Sequence, residues 1–225
     1  MTQRQHPIPT LPGMGRGLVN HDEVSKAFPA VALCEERKPR SHVWRRGAAY
    51  DQGETPQCVG YTGKGILNSQ QLSRGVPYRV RTTYPPDSLY EGAKDSDAWP
   101  GDDYEGTSGL GLCRYLKSAG MIHEYRWCFG LYDVLLALSW VGPVGIGVQW
   151  REGMRHPDTD GYIRATGESL GGHEVELTGI DVRRQRVVVT NSWGTQWGVQ
   201  GRAFLTFDDL GMLLHEEGDA FVVVT

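Results

Sequence analysis

The pattern of apolar residues changes character near Gly142 and Pro143, and this change restricts the possible folds. Before it, apolar residues recur at helical spacing, whereas after it short apolar runs and period-two alternation indicate strands. Because helices and strands occupy separate parts of the chain, the sequence predicts an α+β fold rather than alternating βαβ units. We expect an extended arm over residues 1–40, a helical half over about 41–141 and a β half over about 142–225.

Helix-start and helix-stop residues locate the predicted helices. They run over 58–72, from Ser88 to Ala93, from a cap at Thr107 and Ser108 to a stop at Gly120, from Asp133 to Ser139, and from Asp208 to Leu214. The first of them contains three glycines, each of which costs about 1 kcal/mol relative to alanine inside a helix. Burial against a second layer must therefore stabilise it.

Strands are predicted throughout the second half. Apolar runs and alternation mark residues 144–148, 162–163, 173–178, 186–190, 203–207 and 220–224. In the third of these, apolar Val175 and Leu177 alternate with Glu174 and Glu176, which predicts a half-buried strand.

Composition excludes several classes of function. Charged residues make up 22% and hydrophobic residues 39% of the 225 residues, as is typical of a soluble globular protein. The net charge of −4 gives no electrostatic reason to expect nucleic acid or a membrane surface as a partner. We find no run of about 18 apolar residues and no apolar secretory signal, so we expect no membrane span. The expected location is cytoplasmic, or outside the cell after release by another route.

The histidines other than His173 show no metal-ligand spacing, so we propose no metal site, and we expect no cofactor. Four cysteines in a chain of this length without a signal are typical of cytosolic proteins. Cys113 lies on an apolar helix face, which indicates core packing. Cys34 and Cys128 are interpreted as free, partly buried thiols.

Cys58 begins a predicted helix, and this position suits a nucleophile. The positive end of the helix macrodipole is expected to lower the thiol pKa and so to favour the reactive thiolate. A backbone N–H of the first helical turn has no partner within the helix and can hold a developing oxyanion. The side-chain amide of Gln52, six residues earlier, could supply a second donor.

His173 and Asn191 lie at the start of one predicted strand and the end of the next. Antiparallel pairing of these strands would bring the two residues together. An asparagine beside a histidine can fix its tautomer and ring orientation without adding charge. With Cys58, the pair would form a Cys–His–Asn set for acyl transfer.

The segment around Asn191 carries the most specific motif in the chain. Asn191-Ser-Trp-Gly-Thr-Gln-Trp-Gly198, followed by Gly201, resembles the Asn-Ser-Trp-Gly-x-x-Trp-Gly-x-x-Gly segment of papain-like cysteine peptidases. Two further matches to this family are Gln52-Gly53-x4-Cys58 and Gly172-His173. The resemblance covers roughly residues 41 to 207. It implies a helical half-domain bearing the nucleophile, a β-barrel-like half-domain bearing the His–Asn pair, and a peptide or protein substrate in the cleft between them.

Two residues near the nucleophile depart from the family pattern. Thr55 stands where the family has a disulfide-bonded cysteine, and Val59 stands where it has a tryptophan. His173 also lies only 115 residues after Cys58, which implies trimmed loops. The chain therefore resembles a compact microbial or viral relative. Three functions stay open: a peptidase, an amidase or acyltransferase acting on a non-protein amide, and a catalytically silent relative that binds ligands in the cleft.

Trp193 and Glu174 are the candidate substrate-binding residues. The resemblance implies that Trp193 shields the His–Asn hydrogen bond from water and that Trp197 packs beneath it. The family position after the histidine borders the main specificity pocket, so Glu174 is expected to make this pocket accept a basic or polar side chain. The alternative is that Glu174 and Glu176 form a solvated strand face.

Overall fold

A computed structural model describes residues 26–77, 82–99, 104–216 and 218–225. Residues 1–25 of the predicted arm lie outside this range. Within it, the α-helices are α1 (Cys58–Ser73), α2 (Pro86–Ser96), α3 (Gly109–Ser118), α4 (Leu131–Trp140) and α5 (Phe207–His215). The strands are β1 (His42–Val43), β2 (Glu124–Trp127), β3 (Val144–Arg151), β4 (Ser169–Asp181), β5 (Arg186–Thr190), β6 (Arg202–Thr206) and β7 (Asp219–Val224). Short 3-10 helices cover Ala30–Cys34 and Glu152–Met154.

The strands form one antiparallel sheet in the order β2-β7-β3-β4-β5-β6. The short strand β1 also pairs with β4, outside this order. The α+β prediction is therefore confirmed. Strands β1 and β2 come from the part of the chain that was expected to be helical, and they are only two and four residues long. Such short segments carry too few side chains to show a period. The predicted strand at 162–163 is reduced to a single bridge between Tyr162 and Phe204.

Helix α1 forms despite its glycines because other elements pack directly against its backbone. A Cβ atom on Gly60 would lie 2.3 Å from the backbone oxygen of Pro86, at the start of α2. A Cβ atom on Gly65 would lie 2.5 Å from a carboxyl oxygen of Glu176 on β4. Tertiary burial thus offsets the weak helix propensity of α1 and holds its first residue, Cys58, beside the sheet.

The capping residues that predicted the two ends of α3 are present as caps in the structure. Ser108 precedes α3, and its side-chain oxygen accepts a hydrogen bond from the backbone N–H of Gly111 at 3.0 Å. Gly120 follows the helix with a φ of 68°, a left-handed conformation that glycine adopts without strain. In the described part of the chain, none of the helices has the length and apolar character needed to cross a bilayer.

Two hydrophobic clusters lie on opposite faces of the central strands. One contains Val175 and Leu177 of β4 together with residues of α4 and α5. The other joins α1, α2 and α3 to Phe221 and Val223 of β7. Strand β4 is consequently covered on both faces, and the prediction that it is half-buried is wrong. Alternation alone could not show that α1 packs over the polar face.

Candidate active site

The thiol of Cys58 lies at the point where α1 meets β4. Backbone N–H groups of Cys58 and Val59, in the first turn of α1, donate hydrogen bonds to it. A third hydrogen bond comes from the backbone N–H of Glu174. Glu174 directly follows His173 on β4, so the fold brings the predicted nucleophile beside the strand that carries the predicted base.

His173 and Asn191 meet as the sequence predicts. The Nε2 atom of His173 lies 2.8 Å from Oδ1 of Asn191. The same oxygen accepts a hydrogen bond from the backbone N–H of Ser192 at 2.8 Å, which fixes the orientation of the amide group. Because Oδ1 can only accept, Nε2 carries the proton of the neutral ring and Nδ1 keeps its lone pair. Nδ1 is buried and has no hydrogen-bond partner among the described residues.

Gln52 lies in the loop before α1, where it forms hydrogen bonds with Thr55 of the same loop and with Ser192, after β5. Its Oε1 accepts a hydrogen bond from the hydroxyl of Ser192 at 2.5 Å, and its backbone N–H donates to the backbone oxygen of Ser192 at 2.8 Å. Its Nε2 donates to the backbone oxygen of Thr55 at 2.7 Å. The hydroxyl of Thr55 donates in return to the backbone oxygen of Gln52 at 2.6 Å. Hydrogen bonds therefore close the turn at Thr55, where the family has a disulfide.

A cluster of three tryptophans packs against the imidazole of His173, and two of them contact the ring. Trp193 stacks on the ring with centroids 5.0 Å apart. Trp150 presents an edge-on contact at 4.9 Å, and Trp197 contacts both of the other indoles. Sequence reasoning missed Trp150 because it ended the strand prediction at Val148. The signal was present, since Trp150 is two residues after Val148, the register partner of His173, and therefore lies on the same face.

Burial governs the pKa values of the Cys58–His173 pair. Desolvation raises the pKa of the Cys58 thiol to about 12, and this outweighs the lowering by three backbone N–H groups. Desolvation also lowers the pKa of His173 to about 4, against the raising effect of the Asn191 hydrogen bond. The N–H groups of the first turn of α1 do lower the thiol pKa, but the net shift is upward, so the expectation of a lowered thiol pKa is wrong. At neutral pH the site holds a thiol and a neutral imidazole.

Glu174 and Glu176 lie on the face of β4 opposite His173, but this face is not solvated. They are only 5% and 4% exposed, so the solvated-strand interpretation is wrong. Burial raises the pKa of both carboxyls, for Glu176 to about 8. Asp219 on β7, which sequence reasoning did not single out, lies beside Glu174, and burial raises the pKa of its carboxyl too.

The remaining cysteines are free thiols and are buried. Cys113 belongs to the cluster formed by α1, α2, α3 and β7, which confirms its predicted core role. Cys34 and Cys128 are 2% and 5% exposed, so they are more deeply buried than expected. Burial raises the pKa of all three, which makes their thiolates scarce at neutral pH.

Comparison with known proteins identifies the fold but no near relative. No family model matches the chain, and no curated protein matches its sequence. Procathepsin L 3 from the larval midgut of Tenebrio molitor is 17% identical, with a TM-score of 0.67 over 95% of this chain and 76% of that one. Xylellain, a cysteine protease from Xylella fastidiosa, is 16% identical, with a TM-score of 0.65 over 99% of both chains. Procathepsin B S9 from Trypanosoma congolense is 15% identical, with a TM-score of 0.65 over 93% of this chain and 87% of that one. The chain therefore has the fold of the papain-like cysteine proteases.

Proposed function

We propose that the protein is a cysteine peptidase in which Cys58 is the nucleophile, His173 the base and Asn191 the residue that orients the base. The observation that carries the proposal is the 2.8 Å contact between His173 Nε2 and Asn191 Oδ1. It leaves Nδ1 as the basic nitrogen, on a residue whose neighbour Glu174 donates its backbone N–H to the Cys58 thiol. All three side chains are buried, as expected of groups preorganised for reaction.

The first chemical step transfers one proton and forms one bond. The Cys58 sulfur attacks the substrate carbonyl carbon while His173 Nδ1 takes the thiol proton, because neither separate ion is stable in the buried site. Collapse of the tetrahedral intermediate breaks the C–N bond, and the imidazolium returns the proton to the leaving amine. Water, deprotonated by His173, then hydrolyses the thioester, and the released thiolate regains a proton.

Two donors are proposed for the oxyanion that forms during attack. The backbone N–H of Cys58 belongs to the first turn of α1 and lies beside the thiol. The Nε2 amide of Gln52, which donates to the backbone oxygen of Thr55 at 2.7 Å, is the second proposed donor. Removal of one such donor typically slows acyl transfer by a factor of about 100 to 1,000. Gln52 is only 3% exposed, and the hydrogen bond from Ser192 to its Oε1 holds the amide in a fixed orientation.

Peptides are the proposed substrates. Xylellain is described as a cysteine protease, and its structure aligns with this chain over 99% of both lengths at a TM-score of 0.65. Trp193, which is partly exposed and stacked on His173, would line the substrate cleft while keeping water from the His173–Asn191 hydrogen bond. A casein or peptide-library digest analysed by mass spectrometry distinguishes peptide cleavage from action on a non-protein amide.

Labelling with a thiol-directed epoxide tests the nucleophile. We expect one equivalent to add to Cys58 at neutral pH, faster than to free cysteine, because His173 can accept the thiol proton as the epoxide opens. Intact-mass and peptide-mapping measurements locate the adduct. Reaction no faster than that of free cysteine contradicts the proposal.

Two variants control this experiment. Cys58→Ala should abolish labelling, whereas Cys113→Ala should leave its rate unchanged because Cys113 is buried in the helical core. His173→Ala should slow labelling strongly, since it removes the base and leaves a thiol whose pKa burial raises to about 12. Equal labelling of wild type and His173→Ala would show that the imidazole does not assist the thiol.

A further inference from the structure

Gln52, the proposed oxyanion donor, belongs to a short turn that runs from Asp51 to Pro56, before α1. Gly53 has a left-handed backbone conformation with a φ of 58°, and its backbone N–H donates to Oδ1 of Asp51 at 2.9 Å. Pro56 restricts the residue before it, Thr55, to extended backbone conformations. The local sequence therefore favours this turn, and the position of the Gln52 amide depends on how the turn is closed.

Thr55 closes the turn through hydrogen bonds to both the backbone and the side chain of Gln52. The Thr55 hydroxyl donates to the backbone oxygen of Gln52 at 2.6 Å, and the backbone N–H of Thr55 donates to the same oxygen at 3.2 Å. In the reverse direction, Nε2 of Gln52 donates to the backbone oxygen of Thr55 at 2.7 Å. Without the hydroxyl, only the longer backbone bond and the Gln52 amide itself would close the turn.

The first residues of the turn are bound to the segment after β5. The backbone N–H of Gln52 donates to the backbone oxygen of Ser192 at 2.8 Å, and Asp51 pairs with Trp193 in an isolated antiparallel bridge. Thr55, at the other end of the turn, is exposed. The hydrogen bonds between Thr55 and Gln52 therefore join the exposed end of the turn to the end that is fixed on the β half.

An oxyanion donor is sensitive to small displacements. Such a donor is effective at about 2.7–3.1 Å from the developing charge, and a misplacement of about 1 Å can slow a reaction by about 100-fold. Because Nε2 of Gln52 is bonded to the backbone oxygen of Thr55, a shift of the Thr55 backbone would move the amide with it. A side chain that fixes Thr55 thus also fixes the donor.

We propose that Thr55 is a positioning residue, whose hydroxyl holds the turn closed so that the Gln52 amide faces the oxyanion. This inference rests on the proposed peptidase function and deepens it at the oxyanion site. In this chain a hydrogen bond takes the place of the constraint that a disulfide-bonded cysteine supplies at the same position of the family. Thr55 acts through Gln52 and takes no part in proton transfer between Cys58 and His173.

Thr55→Val and Thr55→Ser test this role. Valine keeps the branched shape without the hydroxyl, whereas serine keeps the hydroxyl. The substrate is a fluorogenic peptide containing a bond that wild type cleaves, and titration with the epoxide gives the concentration of active enzyme. Thr55→Val should lower kcat by roughly three- to tenfold, less than the loss of a whole donor, and should change KM by less than about twofold. Thr55→Ser should stay close to the wild-type kcat.

Two further measurements separate positioning of the donor from a general disturbance of the site. Alkylation by iodoacetamide displaces iodide and forms no oxyanion, so its rate depends on the Cys58–His173 pair and should be the same in Thr55→Val as in wild type. In a Gln52→Ala background, Thr55→Val should cause no further loss of kcat, because both substitutions affect the same donor.

The outcomes separate this inference from the proposed function. Wild type that cleaves no peptide and reacts with the epoxide no faster than free cysteine overturns the peptidase proposal, and this inference with it. If wild type is active, an unchanged kcat in Thr55→Val overturns the inference alone. Equal slowing of cleavage and alkylation also overturns it, as does an equal effect of Thr55→Val with and without Gln52. The exposed Thr159→Val removes a hydroxyl elsewhere and should keep the wild-type kcat.

Discussion

The surroundings of His173, the proposed base, hold its imidazole in one tautomer and away from bulk water. Asn191 supplies the first condition through its 2.8 Å contact with Nε2. The stacked indole of Trp193 and the edge of Trp150 supply the second. Desolvation lowers the pKa of His173 to about 4. The indoles that bury the ring therefore help to lower its pKa.

Replacing Trp193 tests this shielding role. In Trp193→Ala water should reach the ring, so the pKa of His173 should rise from about 4 towards its ordinary value of 6.5. Trp193→Phe keeps an aromatic cover and should change the pKa less. Histidine NMR titration, with the signal assigned by comparison with His173→Ala, measures the shift. An unchanged pKa in Trp193→Ala would show that Trp193 does not shield the imidazole from water.

The sequence predicts the residues of the site better than their electrostatics. Asn191 and its neighbours could be identified because a long motif surrounds them. The position of Asp219 beside Glu174 could not be predicted. The two residues are far apart in the chain, and they come together because β7 and β4 both pair with β3. The thiol pKa was also mispredicted, because the helix macrodipole is a local property whereas desolvation depends on everything that packs over Cys58.

At the scale of elements, α1 shows how tertiary contact changes the effect of a residue. Sequence reasoning treats glycine as a destabilising residue wherever it occurs in a helix. Gly60 instead allows the backbone of α2 to approach α1 at Pro86. Gly211 in α5 has no such neighbour, since a Cβ atom there would make only an ordinary contact of 3.6 Å with Leu131. The two glycines have the same helix propensity, but only the position of Gly60 requires a residue without a side chain.

A matched pair of substitutions tests this contrast. Gly60→Ala should lower the free energy of unfolding by about 1–3 kcal/mol, because the added methyl group would clash with the Pro86 oxygen. Gly211→Ala should raise it by up to about 1 kcal/mol, the propensity gain alone. Urea unfolding followed by tryptophan fluorescence measures both. Similar changes in the two variants would show that close packing does not constrain α1 at Gly60.

At the scale of the whole molecule, the helical layer meets the sheet through buried polar groups as well as apolar ones. Glu176 on β4 accepts a hydrogen bond from the Ser69 hydroxyl of α1 at 2.9 Å, with its other oxygen near Gly65. On the same helix, Asn68 donates to the Tyr50 hydroxyl at 2.6 Å. Arg46 acts on Glu176 as an attractive charge that lowers its pKa, but burial dominates and raises it to about 8. The stability of the contact between the layers therefore depends on pH, because ionisation of Glu176 would bury a charge there.

This dependence gives the stability of the protein a definite pH profile. Because the pKa of Glu176 is raised from 4.5 to about 8 on folding, the folded state retains its proton where the unfolded state has lost it. The stabilisation is complete below about pH 4.5 and is lost as pH rises through about 8, a fall in unfolding free energy of roughly a few kcal/mol. Glu174 and Asp219, whose pKa values are also raised, add to the fall in the same direction.

Glu176→Gln isolates the contribution of this one carboxyl. The amide oxygen can still accept the Ser69 hydrogen bond, but the side chain cannot ionise. Its unfolding free energy should therefore decline less than that of wild type between pH 5 and 9, and the variant should be the more stable protein at the alkaline end. Urea titrations at a series of pH values measure both curves. The exposed Glu168→Gln should give a curve parallel to wild type. Parallel curves for Glu176→Gln and wild type would show that Glu176 ionises in the folded protein at no cost, and the layer contact would then not depend on its proton.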